Sequence, residues 1–174
     1  VTSNWQALGY APPEFRNDRD VAKAAAASSR QALGMLSPEL RNEPEILREA
    51  LKADGHALVY LSEKNRGDKS VVLEAVKQDG HALAYASDEL KGDRDVCLAA
   101  VSEDGLTLGL AEPNMRGDKG VALRAIERNV KALGNATAEL QQDEDIKEAV
   151  VQSERAALLA AVKVDGYALL AAVK

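Results

Sequence analysis

The sequence predicts an all-α fold, an α-solenoid of about seven 25-residue two-helix repeats, because three residue ladders run through it in one register. Leucine recurs at Leu8, Leu33, Leu58, Leu83, Leu108, Leu133 and Leu158, each preceded by alanine except at Thr107. An acid recurs at Asp18, Glu43, Asp68, Asp93, Asp118 and Asp143, and a β-branched aliphatic at Val21, Ile46, Val71, Val96, Val121 and Ile146. An ordinary helical bundle with accidental periodicity does not produce three coincident ladders.

The first helix of a unit is clearest from Asp93 to Asp104. Asp93 reads as its N-cap, since a carboxylate there accepts from the free N–H groups of the first turn and complements the helix dipole. Pro44 follows Glu43 in the second copy, a first helical position where the missing N–H costs nothing. Asp104-Gly105 recurs as Asp54-Gly55, Asp79-Gly80 and Asp165-Gly166, so glycine is expected to supply a left-handed residue that stops the helix. A second helix of about two turns then covers His81 to Ala86, and Ser87 to Leu90 reads as a tight turn. The next loop position holds Asn17, Asn42, Gly67, Gly92, Gly117 and Gln142, residues suited to positive φ. Helices this short are marginal alone, so stacking between units must hold them.

The stacking stripe pairs the Val96 and Val101 positions with small residues at Ala25, Ala50, Ala75, Ala100 and Ala125, and the leucine ladder completes the core. Residues 1–174 are expected to form one helical-repeat domain with an atypical end over 153–174. There ALLAAVK at Ala157–Lys163 returns at Ala168–Lys174 after only 11 residues, which predicts that two helices fuse into an end cap. Trp5, the sole tryptophan, is expected to cover the first layer.

Composition excludes several function classes. The chain has 174 residues, 46% hydrophobic and 29% charged, too apolar for a disordered segment. A net charge of -6 opposes nonspecific binding to nucleic acid or anionic lipid, and aromatics at 3% leave few platforms for stacking bases. Nucleic acid is therefore not an expected partner. Cys97 is the only cysteine, so no intrachain disulfide forms. No run reaches the length of a membrane span, the nearest, Ala156 to Lys174, being broken by Lys163, Asp165 and Gly166. The chain opens on Val1, and the expectation is an intracellular protein, with chloroplast or mitochondrion as candidate compartments after removal of a targeting peptide.

The units ALAYASDELKGDRDVCLAAVSEDG and VVLEAVKQDGHALAYASDEL resemble the all-helical repeat family catalogued as domain of unknown function 4116. The resemblance covers nearly the whole chain and implies a repeat array of protists, algae and some bacteria with no established activity. It transfers no functional residue.

Candidate sites are few. Arg66-Gly67-Asp68 and Arg116-Gly117-Asp118 spell an adhesion tripeptide, but both fall on the loop-to-cap step, where the aspartate is committed to a helix. His56 and His81, with Asp54 and Asp79 two residues earlier, are too few convergent ligands for zinc. Cys97 occupies the slot of Leu47, Val72 and Ala122 and reads as a small core hydrophobe. No nucleophile, base and orienting acid come together, so neither an enzyme, a cofactor nor a small-molecule substrate is expected.

The one recurring surface feature is a basic ladder, Arg16, Arg41, Arg66, Lys91 and Arg116, expected to line a loop edge. Its two readings are a partner-binding row and a solvated edge whose cations pair with Glu14, Glu39, Glu89 and the cap carboxylates. The expected function is a noncatalytic scaffold, linker or peripheral subunit of a larger protein assembly, with a photosynthetic or respiratory organellar complex as the candidate assembly. The alternative is polyanion or RNA binding along the ladder.

Overall fold

The structure, a computed structural model, describes residues 5–164. It is 82% helix, with no strand among the described residues, which bears out the all-α expectation.

Ten-residue α-helices recur at Arg19–Ser28, Pro44–Ala53, Lys69–Gln78, Arg94–Glu103 and Lys119–Arg128, and each packs on the next. Their starts come from the acid ladder. The carboxylate of Asp93 accepts from the backbone N–H groups of Asp95 and Val96 at 3.0 and 3.1 Å, Asp18, Asp68 and Asp143 do the same in their units, and Asp118 accepts from the N–H of Val121 alone. Glu43 is the exception. Its longer side chain makes no cap hydrogen bond and instead meets Arg19 at 2.7 Å, while Pro44 takes the first helical position as expected.

The second segment is tighter than the α-helix expected of it. Gly55–Tyr60, Gly80–Tyr85, Gly105–Leu110 and Val130–Asn135 are 3-10 helices of six residues, and only Arg30–Met35 is α. Asp79 caps its 3-10 helix by accepting from the His81 N–H at 2.8 Å, so the Asp-Gly pair opens this segment as well as ending the last. The predicted tight turn is itself one turn of helix, at Pro13–Arg16, Pro38–Arg41, Glu63–Arg66, Asp88–Lys91, Pro113–Arg116 and Ala138–Gln142. Each period thus carries three helical segments, not two.

The glycine expectation is also corrected. No described residue has a positive φ, and Gly67, Gly92 and Gly117 sit near -97° as ordinary helix ends. Glycine is needed at Gly55, Gly80 and Gly105 for close approach. A Cβ on Gly80 would lie 2.6 Å from the carbonyl oxygen of Ala100 in the next long helix, and those on Gly55 and Gly105 would strike Ala75 and Ala125 likewise. The missing side chain lets a backbone rest against the alanine stripe of the following layer.

The core runs through these layers as one cluster. Leu33, Leu58, Leu83 and Leu108 are fully buried, with Val72, Val76, Val96, Val101 and Ile126 beside them. Thr107, standing where alanine precedes the other leucines, is buried but satisfied, its hydroxyl donating to the Asp104 carbonyl at 2.7 Å. Not all seven leucines belong to the core, however. Leu133 is half-buried and Leu158 is 58% exposed, because Leu158 lies on the continuous helix Glu144–Val164 rather than on a 3-10 segment. That helix runs on where others break because Glu154-Arg155, two helix formers, replace Asp-Gly. The fusion expected between the repeated segments Ala157–Lys163 and Ala168–Lys174 falls outside the described residues; the continuity seen is an earlier one, within Glu144–Val164. Trp5 is half-buried and lines a groove with Leu8, Val21 and Ala25. No described helix is long and apolar enough to cross a membrane.

Candidate interaction surface

Of the six one-turn helices the last, Ala138–Gln142, ends on glutamine, and the basic ladder stands at the ends of the first five. Its backbone is stitched to the following layer, since the carbonyls of Arg66, Lys91 and Arg116 accept from the N–H groups of Ser87, Glu112 and Thr137 at 2.9, 3.0 and 3.2 Å. Arg16, Arg41, Arg66, Lys91 and Arg116 are all half-buried, so the ladder is less a loop edge than a row set between layers.

Their pairing differs from the expectation of a neutralised edge. Among the described residues, none of the four arginines has a carboxylate within salt-bridge reach, and Lys91 pairs only with Asp88, at 3.2 Å. Glu14, Glu39 and Glu89 do not serve as their partners. Arg41 Nη1 donates at 3.4 Å to the carbonyl of Tyr60, at the end of the next layer's 3-10 helix. The Nε atoms of Arg16, Arg66 and Arg116 are shut off from solvent without a hydrogen-bond partner. Buried donors in this state are uncommon. A cleft of about 430 Å³ opens between Arg66 and Lys91, lined also by Tyr85, Ser87, Glu63 and Asp88.

The cap carboxylates are held by a different set of cations. Arg19 meets Glu43, Lys69 meets Asp93 and Asp95, Arg94 meets Asp118, and Lys119 meets Asp143 and Asp145, at 2.6 to 3.1 Å. Each cation follows one cap and reaches the cap of the next layer. The signal was present as a base after the acid at Arg19, Lys69, Arg94 and Lys119, interrupted by Pro44 and Glu144. Hydrogen bonds from Lys69 hold the Asp93 carboxyl below its ordinary range, against the opposing pull of burial, and those from Lys119 do the same for Asp143. Lys69 and Lys119 are raised in return, chiefly by Asp95 and Asp145.

The remaining candidates resolve into structural roles. Asp68 of the first adhesion-like tripeptide accepts from the Ser70 hydroxyl at 2.6 Å and from the Ser70 N–H at 2.9 Å, which lower its carboxyl, and Asp118 of the second caps its helix and holds Arg94. Asp79 lies between the two histidines, 3.1 Å from His56 Nδ1 and 3.3 Å from His81 Nδ1, and joins two layers. Among the described residues, no three or more metal-ligating side chains form a group that could hold an ion. Cys97 is fully buried, its Sγ 3.1 Å from the Lys91 carbonyl, and burial pushes its thiol up to about 12.

No curated protein and no solved structure matches the chain. A family model described as a domain of unknown function, DUF4116, matches residues 1–41 and 68–116, just over half of the 174 residues, and its second stretch spans Gly80 and Gly105, the Asp93 cap and two rungs of the basic ladder, Lys91 and Arg116. The chain belongs to the DUF4116 family.

Proposed function

We propose that this protein is a noncatalytic interaction scaffold, an α-solenoid of about seven 25-residue units that serves as a linker or peripheral subunit in a larger protein assembly. The observation that carries this reading is the consumption pattern of its interior and edges. Long helices, 3-10 helices and cap ion pairs are all used between successive layers, while the arginines of one ladder have no carboxylate partner among the described residues, and one of them, Arg66, lines a cleft. A stacked array of this kind offers an extended lateral surface, and recognition of another protein is the use such a surface suits best. An organellar photosynthetic or respiratory complex is the candidate assembly.

The second reading, polyanion or RNA binding, is favoured by the same unpaired cations. Affinity capture with the tagged chain, with and without ribonuclease, separates the two. A protein retained in fixed ratio after ribonuclease supports the scaffold. Retention of RNA alone, falling with salt, supports the alternative.

A further inference from the structure

The chain's two cation rows have the same period and opposite fates. Arg19, Lys69, Arg94 and Lys119 each close on a carboxylate of the next layer, whereas Arg16, Arg41, Arg66 and Arg116 close on none among the described residues. In a protein carrying six more acids than bases, four arginines of a five-rung ladder without a carboxylate among the described residues are a retained feature of the packing. Arg66 and Arg116 make no side-chain hydrogen bond to another described residue, and of their guanidinium nitrogens only Nε is enclosed. Their stems are therefore fixed between layers while the terminal nitrogens keep donors for a ligand, so little ordering entropy remains to be lost on binding.

We propose that this row, with the cleft between Arg66 and Lys91, binds an extended acidic peptide segment carrying a carboxylate at about every third residue; this rests on the scaffold reading. The spacing follows from the stack. Packed helices lie about 8 to 10 Å apart and an extended chain advances about 3.3 Å per residue, so one layer spans about three residues. The planar fork of arginine matches a carboxylate with two parallel hydrogen bonds. Tyr85, Ala86 and Ser87 line the cleft that would receive the intervening residues. Glu63 and Asp88 stand on the cleft rim, where they repel a strand that carries a charge on every nucleotide more than a peptide that is neutral at two positions in three.

The test uses the full chain and fluorescein-labelled peptides in polarisation titrations. One peptide repeats Glu-Gly-Ser, a second replaces each Glu by Gln, and a third has the same composition with its glutamates clustered. The spaced peptide should bind about tenfold or more tightly than either control, as loss of charge-assisted hydrogen bonds requires. The double variant R66Q/R116Q should lose about the same factor, whereas R94Q, in the paired row, should stay within about twofold. Thermal melts check that R66Q/R116Q folds, and the comparison of spaced with clustered peptide on the unchanged chain decides the matter even if it does not. Equal binding of spaced and clustered peptides, or tighter binding of an oligouridylate than of any peptide, would overturn the proposal. If no peptide binds while affinity capture still returns a protein partner, this proposal fails and the scaffold reading stands.

Discussion

The Lys69 ammonium lies 2.9 Å from the Asp93 carboxylate that caps the following long helix, 24 residues further along the chain. One aspartate therefore does two things: it satisfies the N–H groups of Asp95 and Val96 within its own helix and holds a cation from the preceding layer. Asp93→Ala should cost about 0.5 to 2 kcal/mol, the range for a lost cap. Glu43→Ala should cost less, since Glu43 caps nothing and holds only an exposed Arg19, a pair worth about 0 to 1 kcal/mol. Urea titration of the two variants checks the order.

The same carboxylates set the acid limit of the fold. Asp68, Asp93 and Asp143 have folded values below the ordinary carboxylate value, held down by the Ser70 hydroxyl, Lys69 and Lys119 respectively. A depressed folded value means stability that is fully present above the unfolded value, about 3.9, and is lost as pH falls through the folded one. Melting temperature should hold between pH 5 and 8 and fall steeply below about pH 4, and the N-cap and ion-pair account predicts a shallower fall for a triple Asp→Asn variant.

Two glycine substitutions should have opposite signs. Gly80→Ala brings a Cβ to 2.6 Å from the Ala100 carbonyl and 3.2 Å from Thr107 Cγ2, so two layers must part, at about 1 to 3 kcal/mol or more. Gly67→Ala meets nothing closer than 3.4 Å, and its φ of -98° suits any residue, so it should stabilise by about 0.4 to 1 kcal/mol through the unfolded chain. Denaturation midpoints for the pair test this, and equal losses would contradict close packing as the reason for the Asp-Gly step.

Leu83→Ala should cost about 2 to 5 kcal/mol, because Leu83 is fully buried between layers. Leu158→Ala, on the same sequence ladder but 58% exposed, should fall within about 0.5 kcal/mol of the parent chain. Leu8→Ala, in a layer with a neighbour on one side only among the described residues, should lie between them.

What the sequence made legible was what repeats in kind. Leucine, cap acid and small alanine recur because each solves the same local problem in every layer, and the capping role of Asp93 and the burial of Cys97 followed from that. What it hid depends on distances between layers. The Asp-Gly step looked like a left-handed helix stop, since a close approach to a carbonyl 20 residues on leaves no mark but the glycine itself. The 3-10 geometry of Gly80–Tyr85 was hidden for the same reason: its tightness is set by the layer it rests on, while its composition is that of an α-helix. The pairing of Lys69 with Asp93 was visible only as two adjacent charged columns, whose partners depend on which way one layer leans on the next. The basic ladder was found, but its half-buried stems and unpaired heads were not readable from its spacing.

The central claim, that the chain works as part of a protein assembly, is tested most directly by native mass spectrometry of the protein purified from its own source at low ionic strength. The account predicts the protein in fixed stoichiometry with another protein, released by R66Q/R116Q and unaffected by ribonuclease. A mass equal to the protein alone, or a bound mass removed by ribonuclease, would contradict it.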